Sequence, residues 1–196
     1  MADDAVRIVS EKILSDEWAI LTRYVLERRH RNGSKHEEVR QVYDRGNAAA
    51  VLPVDEARGT VLLVRQFRVP VWLNPKNDAE ASGMMLEACA GLNEGNDPET
   101  AIRKEAMEEL GYRLRDVKQV ADIHMSPGSV SERLTLFVAA YTPDDRIADG
   151  GGLAHEGEDI EVVEMPLTEA YALVENGVID DAKTVILLQH VRLAGA

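Results

Sequence analysis

The stretch from Ala90 to Tyr112, AGLNEGNDPETAIRKEAMEELGY, constrains this chain more than any other. Gly91 opens it with a backbone freedom that other residues lack. Asp97 then offers an N-cap, Pro98 a first helical residue and Glu99 a first-turn anion, so a helix starts here and Gly111 ends it as a C′ residue. Within that helix Glu105, Glu108 and Glu109 fall at i, i+3 and i+4, which sets three carboxylates within roughly a 100° arc of one face. The arc adjoins the apolar stripe Ile102, Ala106 and Leu110, so the carboxylates belong at the rim of a buried surface. A hard divalent cation would relieve their repulsion, because Mg²⁺ is held by a few carboxylate oxygens together with substrate phosphates. The spacing by itself equally describes a solvated acidic helix.

The length of 196 residues suits one domain, or one domain with an appended sheet, and can bury a sizeable core. No run approaches ~20 apolar residues, and MADDAVRIV lacks the basic-then-apolar order of a secretion signal, so no membrane span and a cytoplasmic location are expected. The single cysteine, Cys89, lies in the apolar run Met84 to Ala90 and suits a buried thiol in a reducing compartment. A formal charge of −13 argues against non-specific nucleic-acid binding, which relies on basic surface. An acidic protein that handles phosphates needs metal ions and a few placed Arg or Lys residues.

Read from the start, Val6 to Leu26 shows short alternating segments, with Trp18, Ile20, Thr22, Tyr24 and Leu26 the clearest period-two run, which predicts a strand. Asn32-Gly33 is a hairpin signal, and Val39 to Tyr43 is the partner strand, so an antiparallel sheet is expected over residues 1–45. Residues 46–196 form the main domain. Ala48 to Val54 and Thr60 to Phe67 read as core strands, Val71 to Gly83 as a surface loop or short helix, and Met84 to Ala90 as the strand that delivers the chain to Gly91. Strands follow at Val117 to His124 and Leu134 to Tyr141, separated by the loop Ser126-Pro127-Gly128-Ser129. Thr142 to Asp159 is a glycine-rich acidic loop of a length that is usually functional or disordered. Ile160 to Met165 is a further strand, Thr168 caps a helix that stops near Asn176-Gly177, and Lys183 to Leu193 is a last apolar helix. Strands and helices interleave without a strict βαβ rhythm, so the expected fold class is α/β, a mixed sheet sandwiched between helices.

The glycine, the capped helix, KEAMEELGY and the closing glycine together resemble the Nudix box. Lys104, Glu105, Ala106, Glu108, Glu109, Gly111 and Tyr112 fall on its second half, with Lys replacing Arg. The interval from Gly91 to Lys104 is one residue shorter than the family pattern, and Asn96 or Asp97 stands where the first box glutamate would be. The Lys and the short loop are both similar to the box of the GDP-mannose pyrophosphatase branch. VYDRGNAAAVL, VLLVRQFRV, MSPGSVSE, GGG…EDIEV and DDAKTVILL occur in that branch's order and extend the resemblance over most of the chain. It implies a Nudix fold with an N-terminal antiparallel sheet, and a homodimeric, Mg²⁺-dependent hydrolase that cuts the pyrophosphate of a nucleoside diphosphate sugar. GDP-mannose, giving GMP and mannose 1-phosphate, is the implied substrate.

Residue by residue, the resemblance makes Glu105 and Glu109 metal ligands together with the Ala90 carbonyl, and Glu108 a supporting catalytic acid. Oxygen donors without a His or Cys cluster suit Mg²⁺ or Mn²⁺. Glu158, with Glu156 as the alternative, matches a further loop acid that serves as metal ligand or base. Ala90, Gly91 and Leu92 at the box entry, Glu132, Arg68 and Lys183 match substrate-contacting positions. Trp18 matches an aromatic that stacks on the nucleobase, and packing is the alternative. Lys183 stands at a helix start, where a cation is disfavoured by the dipole and needs an anionic partner. At Val39-Arg40-Gln41 the family presents a charged KRE-like segment from the dimer partner, and only Arg40 matches, which leaves ADP-ribose or another ADP-sugar as a competing substrate. A non-catalytic Nudix-like ligand-binding domain, or an acidic interaction module, is the alternative class. Intact Glu105, Glu108 and Glu109 speak against it, since such a domain has no use for three crowded carboxylates.

Overall fold

The computed structural model describes residues 5–77 and 81–195. Two compact units are present: one combines the chain up to Asn47 with His124–Arg133, the other Ala48–Ile123 with the chain from Leu134 onward. The segment 124–133 packs within the N-terminal unit, where the Ser129 carbonyl accepts the Tyr43 N–H at 2.8 Å.

The N-terminal unit holds three antiparallel strands rather than two, β1 (Val6–Asp16), β2 (Ile20–Arg29) and β3 (Lys35–Asp44), in that order. Register shifts at Ile8/Ser10 and Ile13/Ser15 break the alternation of β1, which is why its pattern reads as disconnected segments. Asp16 pairs with Ile20, so Trp18 lies in the turn between two strands and not on a strand as its alternation suggests. At the other end Arg29 pairs with Lys35, and Gly33 takes φ 83° in the connecting turn. Val6, Ile8, Ile13, Leu14, Ile20 and Val39 of this sheet are all exposed.

The second unit is built on a seven-stranded mixed sheet. Its strands are β4 (Ala48–Asp55), β5 (Thr60–Phe67), β6 (Met84–Glu87), β7 (Cys89–Leu92), β8 (Arg115–His124), β9 (Arg133–Ala140) and β10 (Glu161–Pro166). The order is β10-β5-β4-β9-β8, with β6 on β5 and β7 on β4; β4 and β9 run parallel. Every residue of β4 is buried, as a strand covered on both faces requires. Ala49 and Val51 join Ile102, Ala106 and Leu110 in one hydrophobic cluster. Their neighbours Ala50 and Leu52 point to the opposite face, and the last helix, Ala182–Ala194, also packs on β4.

The expected single strand from Met84 to Ala90 is split at Ala88, because Ala88 N donates to Thr184 Oγ1 at 2.7 Å instead of to a neighbouring strand. Helix α1 (Val69–Leu73) follows β5; of the stretch Val71 to Gly83, residues 78–80 lie outside the described residues. Helix α2 (Pro98–Glu105) runs into the site below. Thr168 lies inside helix α3 (Leu167–Glu175) and does not cap it: Pro166 holds the N-cap position, and Leu167 N donates to Gly59 O at 2.8 Å. Helix α4 (Ala182–Ala194) is capped by Asp181, whose carboxylate accepts the Thr184 N–H at 3.0 Å. Among the described residues no helix is long and apolar enough to cross a membrane.

Candidate active site

Helix α2 starts for the reasons its sequence gives: Asp97 accepts the Thr100 N–H at 3.0 Å, and Pro98 occupies the first turn. Asp97 is thereby committed to capping. From Ala106 to Leu110 the helix widens into a π turn, which the i, i+3, i+4 spacing did not announce, and Gly111 closes it at φ 78°. The π turn carries Glu108 and Glu109. Such turns recur at functional sites, where they re-aim side chains within a helix.

Glu105 lies so close over Gly91 of β7 that a Cβ there would overlap its carboxylate. The absence of a side chain at Gly91 thus leaves room for the Glu105 carboxylate where it stands, and its φ is not positive. Glu109 is only 2% exposed; its Oε2 accepts the Ala90 N–H at 3.3 Å, and the buried Cys89 thiol lies close enough to favour its charged form. Burial, reinforced by Glu108 and Glu158 and partly offset by Lys104, pushes the Glu105 carboxyl up to about 7. Burial also pushes Glu109 up to about 8, with the Cys89 and Ala90 donors opposing and Glu105 and Glu158 adding to it. Lys104 Nζ stands 3.6 Å from both Glu108 and Glu94. Among the described residues no Lys or Arg forms a salt bridge with Glu105 or Glu109.

The glycine-rich loop is fastened to the end of this helix. Gly151 N donates to Glu109 O at 2.8 Å and Gly152 N to Glu108 O at 3.0 Å, so two carbonyls that a helix end would leave unpaired are satisfied. A Cβ at Gly150 would strike the Glu109 carbonyl, and one at Gly152 would strike the Glu158 carboxylate. The three glycines thereby let the loop bring Glu158 into electrostatic range of Glu105 and Glu109. Glu158 Oε2 accepts the Leu153 N–H at 2.8 Å. The Glu156 side chain lies outside the described residues.

These carboxylates fit a hard cation. Glu105 and Glu109 are raised by burial and by neighbouring carboxylates, neither forms a salt bridge among the described residues, and oxygen donors are what Mg²⁺ or Mn²⁺ takes. Among the described residues no three acidic, His or Cys side chains converge into a cage as they stand, for Glu158 is turned onto Leu153 N and Glu109 onto Ala90 N.

Arg68 and Lys183 meet at one buried acid. Glu87, at the end of β6 and 1% exposed, accepts the Arg68 Nε–H at 2.6 Å through Oε1 and bonds Lys183 Nζ through Oε2. Lys183 Nζ also lies 3.0 Å from Asp181 Oδ2. The anionic partner that a lysine at a helix start demands is therefore supplied within the chain.

Residues 44–188 match the NUDIX domain profile, and residues 5–43 match the profile described as the GDP-mannose pyrophosphatase NudK N-terminal domain. The chain belongs to the Nudix hydrolases, in their GDP-mannose pyrophosphatase branch. Its curated relatives include the GDP-mannose pyrophosphatase of Pectobacterium atrosepticum, 47% identical over 190 residues that cover 97% of this chain and 95% of that one. That of Cronobacter sakazakii is 46% identical over 190 residues, covering 97% and 96%. Among solved structures, an ADP compounds hydrolase superposes with a TM-score of 0.71 over 99% of this chain and 96% of the other at 19% identity, which supports the Nudix fold alone.

The other sequence-derived positions of this Nudix protein belong to the N-terminal unit. Trp18 is 73% exposed, with the Arg45 guanidinium 4.2 Å from its ring centroid, so one aromatic face is already taken. Arg40 is held by Glu38 at 2.7 Å and by the Val39 carbonyl at 2.9 Å. It borders a cavity of about 420 Å³, lined also by Tyr24, His124 and Ser129. Glu132 follows that cavity's loop and is half-buried. Sequence reasoning missed Glu87 and the contact of Cys89 with Glu109. A lone acid in the apolar run Met84 to Ala90 was the available signal for Glu87, because such a residue is buried only when paired.

Proposed function

We propose that this Nudix protein hydrolyses the pyrophosphate bond of a nucleoside diphosphate sugar with a divalent cation, Mg²⁺ or alternatively Mn²⁺, and that GDP-mannose is cut to GMP and mannose 1-phosphate. The observation that carries the reading is the pair Glu105 and Glu109, one lying over Gly91 and one buried, crowded together with no salt bridge to either among the described residues. The close relatives' names point to the same substrate. When bound, the cation neutralises the diphosphate and lowers the pKa of an attacking water.

The protein's own residues divide the remaining work. Glu105, Glu109 and the Ala90 carbonyl hold the cation, while Glu108, paired with Lys104, supports them. Glu158 supplies a further ligand or takes up the proton of the attacking water. Gly91 and Leu92 contact the substrate with backbone at the box entry, and Arg68 grips a phosphate with the terminal nitrogens that Glu87 leaves open. Lys183 adds positive charge beside it. Trp18 offers its free face to the base, and Arg40 and Glu132 complete the contacts. The active unit is a homodimer in the cytoplasm, supported by the exposed apolar side chains of the three-stranded sheet, which a second copy would cover.

One observation favours a second reading. Val39 and Gln41 replace charged residues of the family segment, so an ADP-sugar such as ADP-ribose competes as substrate. A panel of nucleoside diphosphate sugars with Mg²⁺, each coupled to phosphatase and read as released phosphate, ranks the two. GDP-mannose is expected to lead; faster release from ADP-ribose would reverse the assignment, and no release from any member would leave the binding-domain reading in its place.

A further inference from the structure

We propose that Glu87 is a positioning residue that aims Arg68 at the substrate's phosphates; this rests on the reading that Arg68 contacts them. One buried carboxylate divides its two oxygens between cations from distant segments: Arg68, just after β5, and Lys183, in the first turn of α4. The three are not equivalent. Glu87 and Lys183 are almost wholly enclosed, whereas the Arg68 side chain keeps 36% of its surface exposed. Lys183, anchored a second time by Asp181, fixes one oxygen of Glu87 and so fixes the direction of the other. That other oxygen takes the Nε–H of Arg68, which sets the plane of the guanidinium and leaves both terminal nitrogens outside the bond. A planar fork pinned at its inner nitrogen and open at its outer two is prepared for bidentate binding of a phosphate. Burial pulls the Lys183 ammonium down, but Glu87 and Asp181 outweigh it and keep it charged, so the anchor persists at neutral pH. A purely structural filler would not need this arrangement, because apolar side chains of similar volume pack such a place as well or better.

The test uses steady-state kinetics of Glu87→Gln, Arg68→Ala and the double variant, on the sugar nucleotide turned over fastest in the panel above. Glu87→Gln is expected to raise KM about tenfold or more with a smaller fall in kcat, as lost positioning of a ground-state contact does. Since Glu87 acts through Arg68, the double variant should be within about twofold of Arg68→Ala alone. A native KM in folded Glu87→Gln, or effects that multiply in the double variant, would overturn the proposal while leaving Arg68 as a contact. A native KM in Arg68→Ala would instead remove the Arg68 reading and the proposal with it. If Glu87→Gln does not fold, Glu87→Asp keeps the charge but withdraws it by one methylene. It is expected to raise KM with native circular dichroism, and a native KM there would likewise overturn the positioning role.

Discussion

At Glu109 the protein holds an acid where an acid is least comfortable, and this sets how the site should respond to pH. Burial holds Glu109 up to about 8 and Glu105 up to about 7, so below those values each carboxyl keeps a proton that a cation must displace. As pH rises through 7 and 8 the protons leave by themselves and the cost of displacement vanishes. Mg²⁺ affinity measured by calorimetry should therefore increase from pH 6 to pH 9 and level off above. Proton release per ion should shrink over the same interval. Affinity that is flat across this range would mean that neither carboxylate is a ligand. The same residues bear the chemistry, so Glu105→Gln or Glu109→Gln should cost at least ~10² in turnover, about 2.7 kcal/mol of transition-state stabilisation, with folding retained.

Among the elements, the capped helix Pro98–Glu105, its π turn and the loop Gly150–Gly152 operate together, because the loop's N–H groups close the end of the helix. Gly152 and Gly157 make a matched pair for testing this: both sit at φ 78°, but a Cβ at Gly152 meets Glu158 while one at Gly157 meets nothing within 4 Å. Gly152→Ala should reduce turnover as far as Glu158→Gln does, whereas Gly157→Ala should cost about 1–2 kcal/mol of backbone strain and leave kcat unchanged. Equal kinetics for the two glycine variants, or full activity in Glu158→Gln with loss in Glu156→Gln, would transfer the loop's role away from Glu158. The helix, its cap and its acidic face were legible in the sequence because capping and periodicity are local. The π turn was not, since it depends on how Gly151 and Gly152 dock on the Glu108 and Glu109 carbonyls. Lys183 shows the same boundary: its position at a helix start announced an anion, and only tertiary structure could name Glu87 and Asp181. Trp18 reads as a strand residue in the sequence, although it lies in a turn, because alternation carries across a short turn as easily as along an extended chain.

For the whole molecule, the proposal is a dimer in which the N-terminal unit of one copy helps to complete the site of the other. Mixing Arg40→Ala subunits with Glu109→Gln subunits should restore activity above both parents, since a mixed dimer then has one site with both residues intact. No recovery despite demonstrated subunit exchange would mean that each site is built within one chain. The central question is which bond of the substrate is cut, and phosphorus NMR of the reaction answers it most directly. With GDP-mannose and ADP-ribose as substrates in Mg²⁺ and ¹⁸O-labelled water, the wild-type protein should give a nucleoside monophosphate and a sugar phosphate. One of the two products should carry the label, and Glu109→Gln should give neither. Nucleoside diphosphate and free sugar, or intact substrates in the presence of folded wild-type protein, would contradict the account.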